Sequence, residues 1–558
     1  FVIMGSNDSG KPPGAFHMFD VKDPRAPKLL ASLVGTPEVA NLRELHAMPV
    51  AMIDGKDILV FPTLTGIVFF DFTNVLMPKM IGSLALSGVS GGDYDNAAWM
   101  LSWAYPYVYV GGTGNGIYIV DATDPTKPTL VTRVPTGSMG NFRIGPTYAA
   151  GNYVVGIGMD QSPTKISVLD VSNPKSPFLL TTGSTAASLY SAIVVGDRIY
   201  GPGTNGDYSF VKWTPTAITT IGTGKSGSDR GGYCTYQSSF VICGQSSEGY
   251  KKWDVHNDAK PMLVGHGTDP AGVGGDFDFA TIVGNLVYLG NDHGTGAALV
   301  PHQMGPDNTA PTVVQIFPSE GDTKQALTSR VTVFLSEDYD IGSVSPTSMI
   351  VRKAGGAAIE GTFSKSSFNA LSFGPKAPLE ANSTYEVVIP AGGLKDLVGN
   401  PIATAAMARF STGATLTGGA GGAGGSVSTG SGGVGGRAGA GGVTGATGGA
   451  SPSGSGGTAS GTGGGTVVAT GGTTVVGSGG AVGTTGGSGP AVGTGGASST
   501  GGAGAVGATG GGSAGCGCDV SNGGGGGTGT ARALSLFVVA ILLGLRKKRS
   551  ARQAALHR

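Results

Sequence analysis

A chain of 558 residues in which 35 Lys+Arg balance 35 Asp+Glu carries no net charge to attract nucleic acid or an anionic membrane, and its length calls for three or more domains. Its 104 glycines are unevenly placed: 52 lie between Gly413 and Thr530, where Arg437 and Asp519 are the only charges. That stretch cannot bury enough apolar surface to offset its chain entropy, so disorder is expected there, and the residues before it have globular composition.

The chain opens at Phe1 inside a strand-like run, FVIMG, so an upstream piece carrying any signal peptide is expected. Residues 1–307 then repeat one form. AFHMFDVKDPRAPKLL from Ala15, GIVFFDFTNVLMPKMI from Gly66, GIYIVDATDPTKP from Gly116, KISVLDVSNPKSPFLL from Lys165 and YKKWDVHNDAKPMLV from Tyr250 share it. Each runs apolar strand, Asp, polar turn and Pro. The aligned aspartates are Asp20, Asp71, Asp121, Asp170 and Asp254; a degenerate copy falls at Thr214 and a weaker one near Pro301. Short β-rich runs (FVIMG, ILVFP, YVYVG, YVVGIG, RIYGPG, FVICG, LVYLG) precede the copies, most behind a glycine-containing hairpin turn. A period of about 40–50 residues with several strands per unit and no helical pattern predicts a β-propeller. Seven copies predict seven blades, or six if the Pro301 copy belongs elsewhere.

An Asp at a strand exit can accept the backbone N–H two residues on, as an Asx-turn, and the Asp/Asn-Pro pair fixes the next bend. Copies spread around a ring cannot converge on one ion, so all five aspartates are read as blade-turn residues. GGDYDN (Asp93, Asp95) and GVGGDFDF (Asp276, Asp278) occupy corresponding places before blade strands and are read as repeat turns in preference to calcium sites. His46, His293 and His302 are candidates for a channel mouth or ordinary loop residues, and NDHGTG (Asn291–Gly296) is the cluster to probe first. No hydrolase elbow, zincin, P-loop or C-x-x-C motif occurs. No catalytic residue, metal ligand or cofactor is assigned. Cys234 and Cys243, in YCTYQSSFVIC, sit on adjacent predicted strands and are expected to form a disulfide across a hairpin, as in an oxidising compartment; two reduced core cysteines are the alternative.

The repeat resembles the LVIVD-repeat family, most closely in IYIVDATDP and ISVLDVSNP, over roughly residues 1–305. The resemblance implies a propeller and extracytoplasmic placement, and no single activity.

From Pro311 the texture changes to alternating strands and regular turns over about 100 residues, the pattern of a small β-sandwich (308–413). Pro318–Gly321, VTVFLSE at Val331–Glu337, PLEANSTYEVVI at Pro378–Ile389 and LKDLVGNPI at Leu394–Ile402 resemble the SbsA-type bacterial Ig-like domain. The resemblance implies a spacer or adhesive module. Asp396 and Asn400 flank a glycine turn, and turn-building is preferred there to calcium binding.

Residues 414–515 are the Gly/Ser/Thr/Ala-rich linker; as a flexible coil of about 100 residues its r.m.s. reach would be roughly 50–60 Å. The tail, 516–558, sets Cys516-Gly-Cys518 before an apolar run, Ala533–Leu545, and a basic cluster, Arg546–Arg549. An apolar run of 13 residues falls short of the roughly 20 a span needs, so the tail, a short hydrophobic helix, reads as a processing signal with its basic end cytoplasmic. It resembles the MYXO-CTERM type of surface sorting signal, with the GlyGly type as runner-up. That resemblance implies a sorting protease and lipid attachment at Cys516 or Cys518. The expected protein is all-β, exported, and anchored at the outer membrane or cell surface. Its propeller binds an extracellular protein or glycan. A secreted propeller hydrolase or lyase and a purely structural surface protein are the rivals.

Overall fold

The structure, a computed structural model, describes residues 2–8, 11–43, 45–159, 162–267, 276–290 and 297–414. The predicted linker, Cys516, Cys518 and the apolar tail lie outside the described residues, as does NDHGTG with His293.

The third blade shows the repeating unit. Leu101–Ala104, Tyr107–Gly111, Ile117–Asp121 and Thr129–Val134 pair antiparallel in simple up-and-down order. Seven sheets of this kind follow one another among the described residues, the first and last three-stranded. The seven β-rich runs picked out in the sequence are the second-position strands of these sheets, from Val2–Asp8 to Leu286–Gly290. Burial explains their arrangement. Every residue of Ile144–Ala150, the first strand of blade four, is buried, whereas Phe178–Ser184, its last strand, alternates exposed and half-buried positions. First strands therefore face the ring axis, and last strands form the rim. Blade seven meets blade one: Tyr288 donates its hydroxyl to the Pro24 carbonyl at 3.0 Å, and Val21, Val283 and Tyr288 pack together.

The Asp-to-Pro motif builds the rim. Just before the aspartate the third strand of blade three slips register between Ile119 and Val120, and blades one, two, four, five and six slip at the matching point. Such a bulge bends and twists the strand. The aspartate then accepts the N–H two residues on, and Pro27, Pro78, Pro128, Pro177 or Pro261 precedes the outermost strand or its first residue. A proline beside an edge strand discourages pairing with another chain.

The second module is a sandwich of two four-stranded layers. Val313–Phe317, Val331–Leu335, Ala370–Pro375 and Gly361–Ser367 form one; Asp322–Gln325, Ala406–Thr412, Thr384–Ile389 and Ile350–Lys353 form the other. The first layer does not end at the module boundary. Gly361–Ser367 pairs with Val50–Ile53, the innermost strand of blade two, through Phe363–Met52, Ser364–Ala51 and Lys365–Val50. One eight-stranded sheet thus runs through both modules. The same strand touches the innermost strands of blades three and four, so the sandwich plugs the ring axis from one end.

The first hairpin turn of every blade from two to seven meets the sandwich. Asp54 of blade two shares a cleft with Pro346 and Glu360. Tyr105 N–H donates to Ser364 Oγ at 3.1 Å, Gly151 N–H to Thr332 Oγ1 at 2.9 Å and Ser238 N–H to the Ser336 carbonyl at 2.7 Å. Gly196 lies against Gln315, and Gly284 against Val398. Arg330, fully buried, donates to the Val171 carbonyl at 2.9 Å and lies over the Tyr107 ring. Its Nε and Nη1 are buried without a hydrogen-bond partner, so one carbonyl bond and the stacking on an aromatic face are what offset its burial. We call this the covered face.

Candidate functional site

On the other side of the ring, the loops entering the innermost strands bring one large side chain each toward the axis. His46, Trp99, Tyr190, Tyr233 and Phe279 occupy this place in blades two, three, five, six and seven, and all are buried. Blade four supplies Gly145, where an added Cβ would stand 3.2 Å from the Trp99 ring; the glycine makes room for the indole. The rings stack: His46 on Trp99 at 4.2 Å and on Tyr233 at 5.0 Å, Tyr233 on Phe279 at 4.7 Å. His46 Nδ1 also lies 3.2 Å from the Trp99 carbonyl.

Charged groups rim this plug. Arg230 lies 4.2 Å over Tyr190 and donates to Asp276 Oδ2 at 2.5 Å and to Asp278 Oδ1 at 3.0 Å. Arg43 lies over Trp99, Arg143 over Tyr94, and Arg143 pairs with Asp95. Asp95, Arg143, Arg230 and Asp276 keep partial exposure, Asp95 the most. The buried rings stack on one another and close the axis, so what this face leaves partly exposed is the arginine–carboxylate pairs around them.

The repeat aspartates are all turn acceptors. Asp20, Asp71, Asp121, Asp170 and Asp254 each take the N–H two residues on, at 2.7–2.9 Å. Asp23, Asn74, Asp124 and Asn173 repeat the device at the next bend. At the degenerate copy the Thr214 hydroxyl accepts from Thr216 and Ala217 instead. The Thr126 hydroxyl and N–H hold the Asp124 carboxyl below the usual range, and the His256 N–H and ring do the same for Asp254. Cys234 and Cys243 face each other across the first hairpin of blade six and form a disulfide.

Two sequence expectations are refined. Asp93 caps a short 3-10 turn as expected, but Asp276 and Asp278 are more than turn formers, being ion-paired to Arg230. His46 joins the axial plug, whereas His302 lies away from it, 2.9 Å from the Gly284 carbonyl on the covered face, with its proton affinity lowered by burial.

The covered face gathers Asp396, which the sequence marks as a turn former and which accepts the turn's N–H groups, with two acids that no motif announced. Asp307, Glu337 and Asp396 bring carboxylate oxygens within 4.8 Å of one another, all buried. Burial first, then the Asp307 and Asp396 charges, push the Glu337 carboxyl up to about 8. A larger cleft of about 640 Å³ opens between Tyr105, Pro106 and the sandwich residues Met349, Phe363 and Phe373, with Asp54, Glu360 and Lys376 also in its lining.

Residues 103–136 match the LVIVD repeat family, and residues 307–412 match the bacterial Ig-like domain family. Blade three is an LVIVD repeat, and the sandwich is a bacterial Ig-like domain. No protein of curated function matches the chain. Among solved structures, the computationally designed protein Ika8 has 12% identity and a TM-score of 0.34, covering 60% of this chain and 98% of its own. BamB from Moraxella catarrhalis has 12% identity and a TM-score of 0.35, covering 66% and 90%. Raptor from Chaetomium thermophilum has 13% identity and a TM-score of 0.40, covering 55% and 28%. Likenesses this distant carry no argument; the architecture rests on strand pairing. Among the described residues no helix is long and apolar enough to cross a membrane.

Proposed function

We propose that the chain is an exported recognition protein, displayed at the cell surface through its C-terminal tail, whose propeller binds an extracellular protein or glycan. The observation that carries this reading is the docking of the Ig-like domain on one face of the ring, against the first hairpins of blades two to seven. Recognition then falls to the opposite loops, where Tyr94, Arg143, Asp95, Arg230 and Asp276 stand around the aromatic plug. Exposed loops on a rigid scaffold are where binding residues concentrate. The Cys234–Cys243 disulfide supports an oxidising compartment.

The test uses the labelled full chain on glycan and peptide arrays, with polymer turnover assayed in parallel. Saturable binding that falls about tenfold in Arg143→Ala, and is unchanged in a rim variant such as Lys79→Ala, is expected. Polymer cleavage by the purified chain would establish the hydrolase rival. For anchoring, Cys516→Ala with Cys518→Ala should release the protein into the medium or leave an unprocessed form. Unchanged mass and membrane retention would defeat the lipid-anchor reading.

A further inference from the structure

Asp307 lies in the connector between the modules, Glu337 follows strand Val331–Leu335, and Asp396 sits in the turn at Leu394–Asn400. With Gln237 of blade six and Gly284 of blade seven they enclose a cavity of about 10 Å³, the size of one water molecule or one ion. Two of the carboxylates have donors. Asp396 accepts from the Val398, Gly399 and Asn400 N–H groups, and from Asn400 Nδ2 at 2.7 Å. Asp307 accepts from Thr309 N–H at 2.9 Å and Gln237 Nε2 at 2.8 Å.

Glu337 is different. It is 3% exposed, and its Oε1 has no hydrogen-bond partner. Its Oε2 lies 3.4 Å from Gln237 Nε2, whose two hydrogens have nearer acceptors in Asp307 Oδ2 and the Gly284 carbonyl at 3.2 Å. A buried carboxylate with one bare oxygen and one long, shared hydrogen bond is costly unless it takes up a proton or something positive meets it. Among the described residues no lysine, arginine or histidine pairs with any of the three. Lys365 is taken by Asp338, and His302 faces the Gly284 carbonyl with Lys252 behind it.

We propose that Asp307, Glu337 and Asp396 bind one calcium ion, which ties the Ig-like domain to blades six and seven. The donors are all oxygen, which selects a hard cation over zinc or copper. Three carboxylates from separate segments, their oxygens within 4.8 Å of one another, form an irregular all-oxygen set that calcium accepts, whereas magnesium demands near-ideal octahedral geometry and gives up its waters reluctantly. Because the ligands come from the connector and two loops of the Ig-like domain, against amide and carbonyl groups of the propeller, the ion acts as a brace between modules.

The test takes the full chain stripped with EGTA and measures calcium uptake by equilibrium dialysis, with thermal unfolding in calcium chloride or magnesium chloride at fixed ionic strength. The expected result is one calcium per chain, with a dissociation constant on the order of 10⁻⁴–10⁻³ M, as in extracellular modules. Calcium should raise the melting temperature more than magnesium does. Glu337→Gln keeps the volume and removes one charge, so in EGTA it should melt no lower than the parent chain, while its calcium affinity falls about tenfold or more. Asp307→Asn should weaken calcium similarly. No uptake by the parent chain at about 5 mM calcium would overturn the proposal. Unchanged uptake in both variants, or an equal response to magnesium, would also overturn it.

Discussion

The Cys234–Cys243 bond gives the most direct measure of how far this fold depends on an oxidising environment. The two cysteines are nine residues apart, and they close the first hairpin of blade six. On the chain-entropy account, a loop of that length is worth about 2.6 kcal/mol at 25 °C. Both side chains are buried, so replacing them with alanine also removes two sulfurs from the interior, at about 1 kcal/mol each. The double variant Cys234→Ala, Cys243→Ala is therefore expected to lose about 4–5 kcal/mol, and reduction of the parent chain, which leaves the sulfurs in place, about 2–3 kcal/mol. The turn of this hairpin binds the Ig-like domain through Ser238, so loosening it also loosens the junction. The assay is urea unfolding followed by tryptophan fluorescence, with and without dithiothreitol, and with thiol alkylation to count reduced chains. A fully reduced parent chain with an unmoved urea midpoint would refute the entropy argument. So would a double variant that still responds to dithiothreitol.

Two further outcomes follow from the covered face. Gly374 lies so close to blade three that a Cβ there would stand 2.1 Å from the Tyr105 carbonyl oxygen. Gly374→Ala should cost about 1–3 kcal/mol and split one calorimetric transition into two, and a single unshifted transition would contradict the docking. His302 takes its proton in the folded state only below its ordinary value, because burial disfavours the charged ring. The unfolded chain then binds more protons as pH falls through about 6.5, so the stability His302 contributes is present above that pH and lost below it. Between pH 7.5 and 5.5, in EGTA, the parent chain should lose urea stability relative to His302→Gln; a constant gap would show that the ring's proton affinity is unshifted.

What the sequence made legible is what local chemistry determines. An aspartate at a strand exit accepts its own N–H two residues on wherever the strand sits, so five copies of one turn revealed the repeat, and Thr214 still fits as a hydroxyl substitute. The disulfide was legible for the same reason, since both cysteines belong to one hairpin. The pairing of Gly361–Ser367 with Val50–Ile53 was not. Alternation along a strand says which face is buried and nothing about which distant edge completes the ladder. The meeting of Asp307, Glu337 and Asp396 escaped likewise, because each reads locally as a turn or strand-end acid, Asp396 as the glycine turn it does build. The Arg230 pairing had a faint signal, a lone arginine in the Gly-rich loop SDRGG matching the loop that carries Asp276 and Asp278.

The insertion of the Ig-like strand into the ring changes what the second module is for. A spacer joined only by a connector leaves its propeller free to present either face. Here Ser364 and Lys365 pair beside the axis, Arg330 is buried between blades three and four, and six hairpins are engaged. Detachment would unpair a strand, strip the arginine of its acceptor and ring, and open the acid cluster to water. These losses fall together, because they belong to one surface, so the two modules should unfold as a unit. A head held this way presents one face in one orientation, and on the proposed recognition role the loops around Arg143 and Arg230 are where sequence change would alter binding while leaving the fold intact.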